Sequence, residues 1–297
     1  MEGPNSSSQH FILQLLGTLI LWFGWYGFNS GSALVLGGAE TGDILATQAG
    51  TTTTLSAGAG GIVALFYNYV HQKRLTGVGQ YDLVHTMNGV LSGAVAVTAS
   101  CAVIEPWAAV IVGSVAGVLY LYGSQALIKF RIDDAVDAIP VHLINGIWGL
   151  LATGLFATPT HLQEAYRRSD HVGLFYSGKT GGVDFTLFGA QFVAVCFILT
   201  WVGGIMLPFF MLLERMGKLR ASAMEEVLGL DRAYFGGQQQ GGVEDEFAPE
   251  VIESLTKQLE QQLRHRKGRN SDDSKTDSTS KMQSSSVGAP FSADDAV

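Results

Sequence analysis

Charge is scarce in this chain. Asp, Glu, Lys and Arg make up 15% of its 297 residues, against about 25% in an ordinary soluble domain. That deficit excludes a typical water-soluble globule. It is also uneven, because most of the charge lies in the stretch after residue 214. The net charge of −8 therefore reports on the tail and says little about a ligand. No basic patch interleaved with aromatics occurs, so nucleic acid is not expected as a partner. Cysteine is limited to Cys101 and Cys196. Both sit in apolar runs without metal-ligand spacing, so both are expected to be packing residues rather than a disulfide or a metal site. Residues 1–10 are polar, with neither a basic n-region nor a cleavage motif. No signal peptide is expected there, and the first apolar run is expected to serve as its own insertion signal.

What is abundant is apolar length. Hydrophobic residues reach 47%, and six runs of about 20 residues can be marked. They lie near 11–35, 44–70, 84–104, 107–128, 139–157 and 186–213. The expectation is an all-α membrane bundle of six spans over 11–213, after a cytosolic segment at 1–10. Small-residue pairs at spacing four (Gly27 with Gly31, Gly89 with Gly93, Gly113 with Gly117) suggest close helix crossings. Lys and Arg sort to alternate connections: Lys73 and Arg74, then Lys129 and Arg131, then Arg215, Lys218 and Arg220. By the positive-inside rule both termini are expected in the cytosol, with Asn5 of the Asn-Ser-Ser glycosylation pattern left unused. The basic residues of 158–185 stand against that rule, in the longest loop, where the rule is weakest.

Past the sixth span, 214–237 reads as a charged helix ended by Gly229 and docked beneath the membrane. Over 248–266, Val251, Leu255, Leu259 and Leu263 recur every four residues, the pattern of one amphipathic helix. From 267 to 297 the chain has almost nothing to bury and is expected to be disordered.

Within the spans a few residues stand out chemically. From Ile139 to Ala157 the only titratable side chain is His142, and a ring there is costly unless it faces a cavity, a partner or a pathway. Gly146, Gly149 and Gly154 are read as packing positions on the same helix. Phe28 and Ser32, four apart, share a helix face. On the residues alone an aromatic belt with a small packing residue is favoured. The alternative is a cation site, where a ring attracts the ion and a hydroxyl accepts a hydrogen bond. Asp133, Asp134 and Asp137 precede the fifth span and suit its positive dipole end. Asp137 and His142 do not stack on one face and are not proposed as an acid–base pair. His85 is read as a surface or subunit-contact residue, and Thr51 to Thr54 as hydroxyls bonded to the preceding helical turn.

Three long stretches carry a resemblance. They are Trp25 to Ser32, Asn88 to Trp107 and Asp133 to Gly149, joined by Gly173-Leu-Phe-Tyr, Gly189-Ala-Gln and Glu225-Glu226-Val-Leu-Gly-Leu-Asp231. Together they resemble the ammonium transporter (Amt/Mep) family over roughly 11–237. The resemblance implies a fold of eleven helices in two inverted halves, assembled as homotrimers in the plasma membrane with a pore through each subunit. It implies ammonium and ammonia as cargo and no cofactor. Phe28 would be the inner of two gate phenylalanines, and Ser32 with Trp25 part of the external ammonium site. His142 would be the second of two pore histidines and Asp137 the acidic residue before it. On this reading the chain starts at the family's sixth helix, without the partner histidine and outer gate phenylalanine. In the tail, Tyr234-Phe235 replaces the family's basic–His pair and Ala233 its threonine.

The reading at this stage is therefore ammonium transport, with a histidine proton relay, by a chain matching the C-terminal half. The alternative is a non-transporting ammonium sensor or regulatory subunit that keeps the ligand face and signals through the tail. An intramembrane metal enzyme using His142 with Asp133 and Asp134 is a more distant rival. A polytopic structural protein is disfavoured by the polar residues in the spans.

Overall fold

The structure, a computed structural model, describes residues 8–178 and 182–221. Every regular element among them is helical. α1 spans Ser8–Thr76, α2 Leu83–Thr98 and α3 Pro106–Phe130. A π turn, Ile139–Ile144, runs directly into α4, Asn145–Phe156. Two short helices, α5 (Pro159–Tyr166) and α6 (Leu174–Ser177), lie within the loop after it, and α7 covers Thr186–Arg215. Contacts divide the chain into Met1–Met206 and Leu207–Val297, with the boundary inside α7. In the second unit the helix ends at Arg215, where Gly217 takes φ +66° and Lys218 N–H donates to Leu213 O at 2.9 Å. The rest of 214–237, and the segments 238–242, 248–266 and 267–297, lie outside the described residues.

α1 is two helices joined at Gly38, whose φ of 61° and ψ of −152° fall in a region open essentially to glycine alone. The arms 8–37 and 39–76 then run back along each other. Ser30 Oγ donates to Ala46 O (2.9 Å), Asn29 Nδ2 to Thr53 Oγ1 (2.9 Å), and Tyr26 pairs with Thr54 Oγ1 at 2.8 Å. The second arm is the spine of the core. A Cβ at Gly89, Gly93, Gly113 or Gly117 would overlap backbone or Cβ atoms of Ser56, Gly60 or Ala64. Two of the three small-residue pairs thus form close crossings, where backbones approach without bulk between them. The third does not: Gly27 and Gly31 have open space where a Cβ would point.

Among the described residues four helices are long and apolar enough to cross a membrane: Ile12–Val35, Pro106–Phe130, Ile139–Phe156 and Thr186–Arg215. The arm 39–76 is diluted by Gln48, Thr51 to Thr54 and Ser56 and falls outside that set. α2 is apolar but has only 16 residues, about 24 Å at 1.5 Å per residue, short of a ~30 Å hydrocarbon core.

The apolar run 84–104 accordingly differs from one continuous helix. Past Thr98 it becomes a turn, and Ser100 to Ile104 are buried. Non-helical backbone at such depth survives only where protein groups satisfy it. Thr52 Oγ1 donates to Cys101 O (2.7 Å), Gln48 Nε2 to Ile104 O (2.6 Å), and Thr158 N–H to Val103 O (2.9 Å). The side chains that make the second arm of α1 polar are those that close this turn. Thr51, Thr53 and Thr54 bond the preceding helical turn, at 2.6–2.9 Å, as the sequence suggested. Cys101 is buried, but Cys196 is exposed on α7 and is not a packing residue of the described core.

Candidate functional site

The fifth apolar run is positioned by carboxylates at its start. Asp134 accepts from the backbone N–H groups of Ala138 (2.9 Å) and Ile139 (2.8 Å), closing two donors that a helix start leaves open. Asp137 sits at φ +56° with its side chain turned to α2 and α3. It accepts from Tyr120 OH at 2.9 Å, Ser124 Oγ at 2.8 Å and Asn88 Nδ2 at 3.4 Å. The fully buried Tyr120 thereby satisfies its hydroxyl, and three elements are tied together at one point. Pro140 and Ile144 lean on α3 where Gly123 leaves room.

His142 lies inside the π turn and is exposed, as is Leu143 beside it. Four residues on, Gly146 has nothing within 4 Å of where a Cβ would stand. Gly149 and Gly154 are different: a side chain there would meet Ala96 of α2 or Phe188 of α7. Packing therefore accounts for two of these glycines, and Gly146 instead belongs to the open side on which the imidazole stands. Among the described residues no hydrogen bond joins His142 to Asp137 or to Ser32.

On α1 the tryptophan and its neighbours divide by direction. Trp25 Nε1 donates to Thr98 Oγ1 at 3.0 Å, fixing α1 to the end of α2. Phe28 is 62% exposed, and Ser32 is exposed with its hydroxyl donating to Phe28 O at 2.7 Å. With its proton committed to that carbonyl, Ser32 Oγ presents lone pairs outward, as an acceptor of N–H donors.

His85 is half-buried rather than at the surface. Its ring lies 6.1 Å from that of Tyr120, and Nδ1 is 2.9 Å from Asp82 Oδ2, out of line for a directed hydrogen bond. The contact is electrostatic and available to the protonated ring. Neither Tyr120, Ser124, Asn88 nor the His85–Asp82 pair was singled out from sequence as a partner of Asp137. Nothing in a linear pattern joins Asp137 to residues 13 to 49 positions away. No group of three or more His, Cys, Asp or Glu side chains is gathered for a metal among the described residues.

The first connection after α4 carries its own polar contacts. His171 Nδ1 meets Asp184 Oδ2 at 2.7 Å, and Thr186 N–H donates to Asp184 Oδ1 at 2.8 Å. Hydrogen bonding from Thr186, then from His171, pulls the Asp184 carboxyl down to about 2. His161 stands between Glu164 (3.1 Å) and Glu105 (3.6 Å), and Arg167 pairs with Glu40 at 2.7 Å.

Known proteins share the sequence and the fold. The Ammonium Transporter Family model matches residues 2–240. Ammonium transporter 1 member 3 of Solanum lycopersicum is 41% identical over 243 residues, 80% of this chain and 50% of that protein. Ammonium transporter Amt2 of Archaeoglobus fulgidus is 36% identical over 219 residues, 74% and 43% of the two chains. Among solved structures, Candida albicans Mep2 superposes with a TM-score of 0.59 at 27% identity, covering 74% of this chain and 45% of that one. A structure titled "Sensor Amt Protein" aligns at 0.57 and 27%, over 74% and 48%. The chain spans about half the length of the curated relatives it matches. With its helical membrane fold and these motifs, the chain belongs to the ammonium transporter family.

Proposed function

We propose that this chain forms a pathway for ammonium and ammonia across a membrane. The observation that carries the reading is the exposed imidazole of His142, set in an apolar helix beside the space left by Gly146. Stripping an ion of its water costs on the order of 20 kcal/mol by the idealised Born estimate, whereas neutral ammonia escapes that cost. A passage through hydrocarbon therefore favours deprotonation before crossing. Phe28 and Ser32 suit the ion: a ring face attracts a cation, and a hydroxyl oxygen receives its N–H. His142 suits the proton, since imidazole accepts at one nitrogen while releasing from the other. In this scheme Phe28 is a gate, Ser32 and Trp25 belong to the ammonium site, and Asp137 is the structural anchor of the histidine turn.

Six crossings (α2 counted together with the turn 99–104 that continues it), both termini in the cytosol, a homotrimer and a plasma-membrane location complete the proposal. It rests on the apolar runs, the distribution of Lys and Arg, and the family.

Reconstitution in liposomes tests the reading. An ammonium-dependent current or internal pH change is the outcome expected of a transport pathway. Ammonium binding without flux would replace it with the sensor reading, which a likeness of fold alone does not separate from transport.

A further inference from the structure

We infer that Asn145 is the positioning residue of His142, an assignment that rests on the relay reading given above. Seven residues separate His142 from Gly149, and in an unbroken α-helix two such positions lie within about 20° of each other. Gly149 faces α2 so closely that even a Cβ would strike the Ala96 carbonyl. An imidazole in that direction has no room. The π turn Ile139–Ile144 carries one residue more than an α turn, and in it His142 is exposed instead.

Two contacts of Asn145 hold that turn. Its side-chain Nδ2 donates to Pro140 O at 2.9 Å across five residues, the same span as a π-helical backbone bond. Its backbone N–H donates to His142 O. One residue thus grips the carbonyl two places before the ring and the carbonyl of the ring's own residue. Packing does not explain the amide. Asn145 is fully buried, and among the described residues its Oδ1 has no hydrogen-bond partner, a state shared by Ser92 Oγ on α2. An apolar side chain of the same volume would avoid leaving that oxygen unsatisfied. What it would lose is the bond to Pro140 O, and with it the widened turn. The structure assigns the amide to aiming the imidazole.

The test uses the purified full chain with Asn145→Leu, which keeps the volume, and Asn145→Ala, which cannot overpack. Diethyl pyrocarbonate modification of His142 is followed by mass spectrometry, with His71 as the internal reference. The expected result is a several-fold slower reaction at His142 in both variants, an unchanged rate at His71 and a retained melting transition. An unchanged His142 rate in a folded variant overturns the inference. Failure of both variants to fold also overturns it, since the amide would then be a general structural bond. Flux distinguishes this claim from the relay itself. If His142→Ala leaves ammonium-over-potassium selectivity intact, the relay reading falls while the labelling result still decides the positioning.

Discussion

Tyr120 and Asp137 meet at 2.9 Å, phenol to carboxylate, at the point where α2, α3 and the histidine turn converge. The same carboxylate takes Ser124 and Asn88, so one side chain supplies the acceptor for three. Removing it leaves the O–H of the fully buried Tyr120 without its acceptor, with Asn88 Nδ2 still donating to the phenol oxygen at 3.2 Å. Asp137→Ala should lower stability by about 3 kcal/mol, given ~1–3 kcal/mol for each buried group left unsatisfied. Asp137→Asn, which keeps an acceptor, should lose about 1 kcal/mol. Thermal unfolding in detergent ranks the two, and equal losses would argue against the hydrogen-bonded account.

A second prediction concerns the buried turn after α2. Gln48→Leu and Thr52→Val preserve shape but remove the donors to Ile104 O and Cys101 O. Each should destabilise by about 1–3 kcal/mol, and the pair should fall short of additivity because both close one turn. Hydrogen exchange at 99–104 should rise in both variants before global unfolding does.

The glycines offer a contrast within one fold. Gly113→Ala places a methyl against the Ser56 carbonyl and should cost about 1–3 kcal/mol by overpacking. Gly27→Ala enters open space and should be neutral or gain about 0.5–1 kcal/mol through helix propensity. Melting temperatures that moved equally would contradict the packing described.

That contrast marks how far the sequence was legible. Apolar length and sparse charge were enough to read a membrane bundle, and the motifs around Phe28, Asp137 and His142 pointed to the family. Spacing alone could not tell Gly27 from Gly89, because both pairs have the same periodicity and only the neighbouring helix distinguishes them. Residues 99–104 were equally hidden: they are as apolar as a helix, and the donors that make a turn affordable, Gln48 and Thr52, come from about 50 residues earlier. The exposure of His142 depends on the π turn, which local composition does not announce.

A pH effect follows from Asp184. Its carboxyl, hydrogen-bonded by Thr186 and His171, titrates at about 2 when folded, below the usual ~3.9. A depressed value means the contact stabilises fully above ~4 and is lost as pH falls toward 2. Carbon-13 shifts of the Asp184 carboxyl should report that titration. In Asp184→Asn, protease sensitivity of the segment around 184 should become independent of pH over the same window.

The account stands or falls on the histidine at 142. Ammonium-evoked current and ammonium-over-potassium selectivity, recorded in liposomes holding the wild-type chain or His142→Ala, test it most directly. The account predicts ammonium-selective current in the wild type and a loss of that selectivity in a variant that remains folded. Identical selectivity in the two, or no ammonium-dependent flux in the wild type, would contradict it.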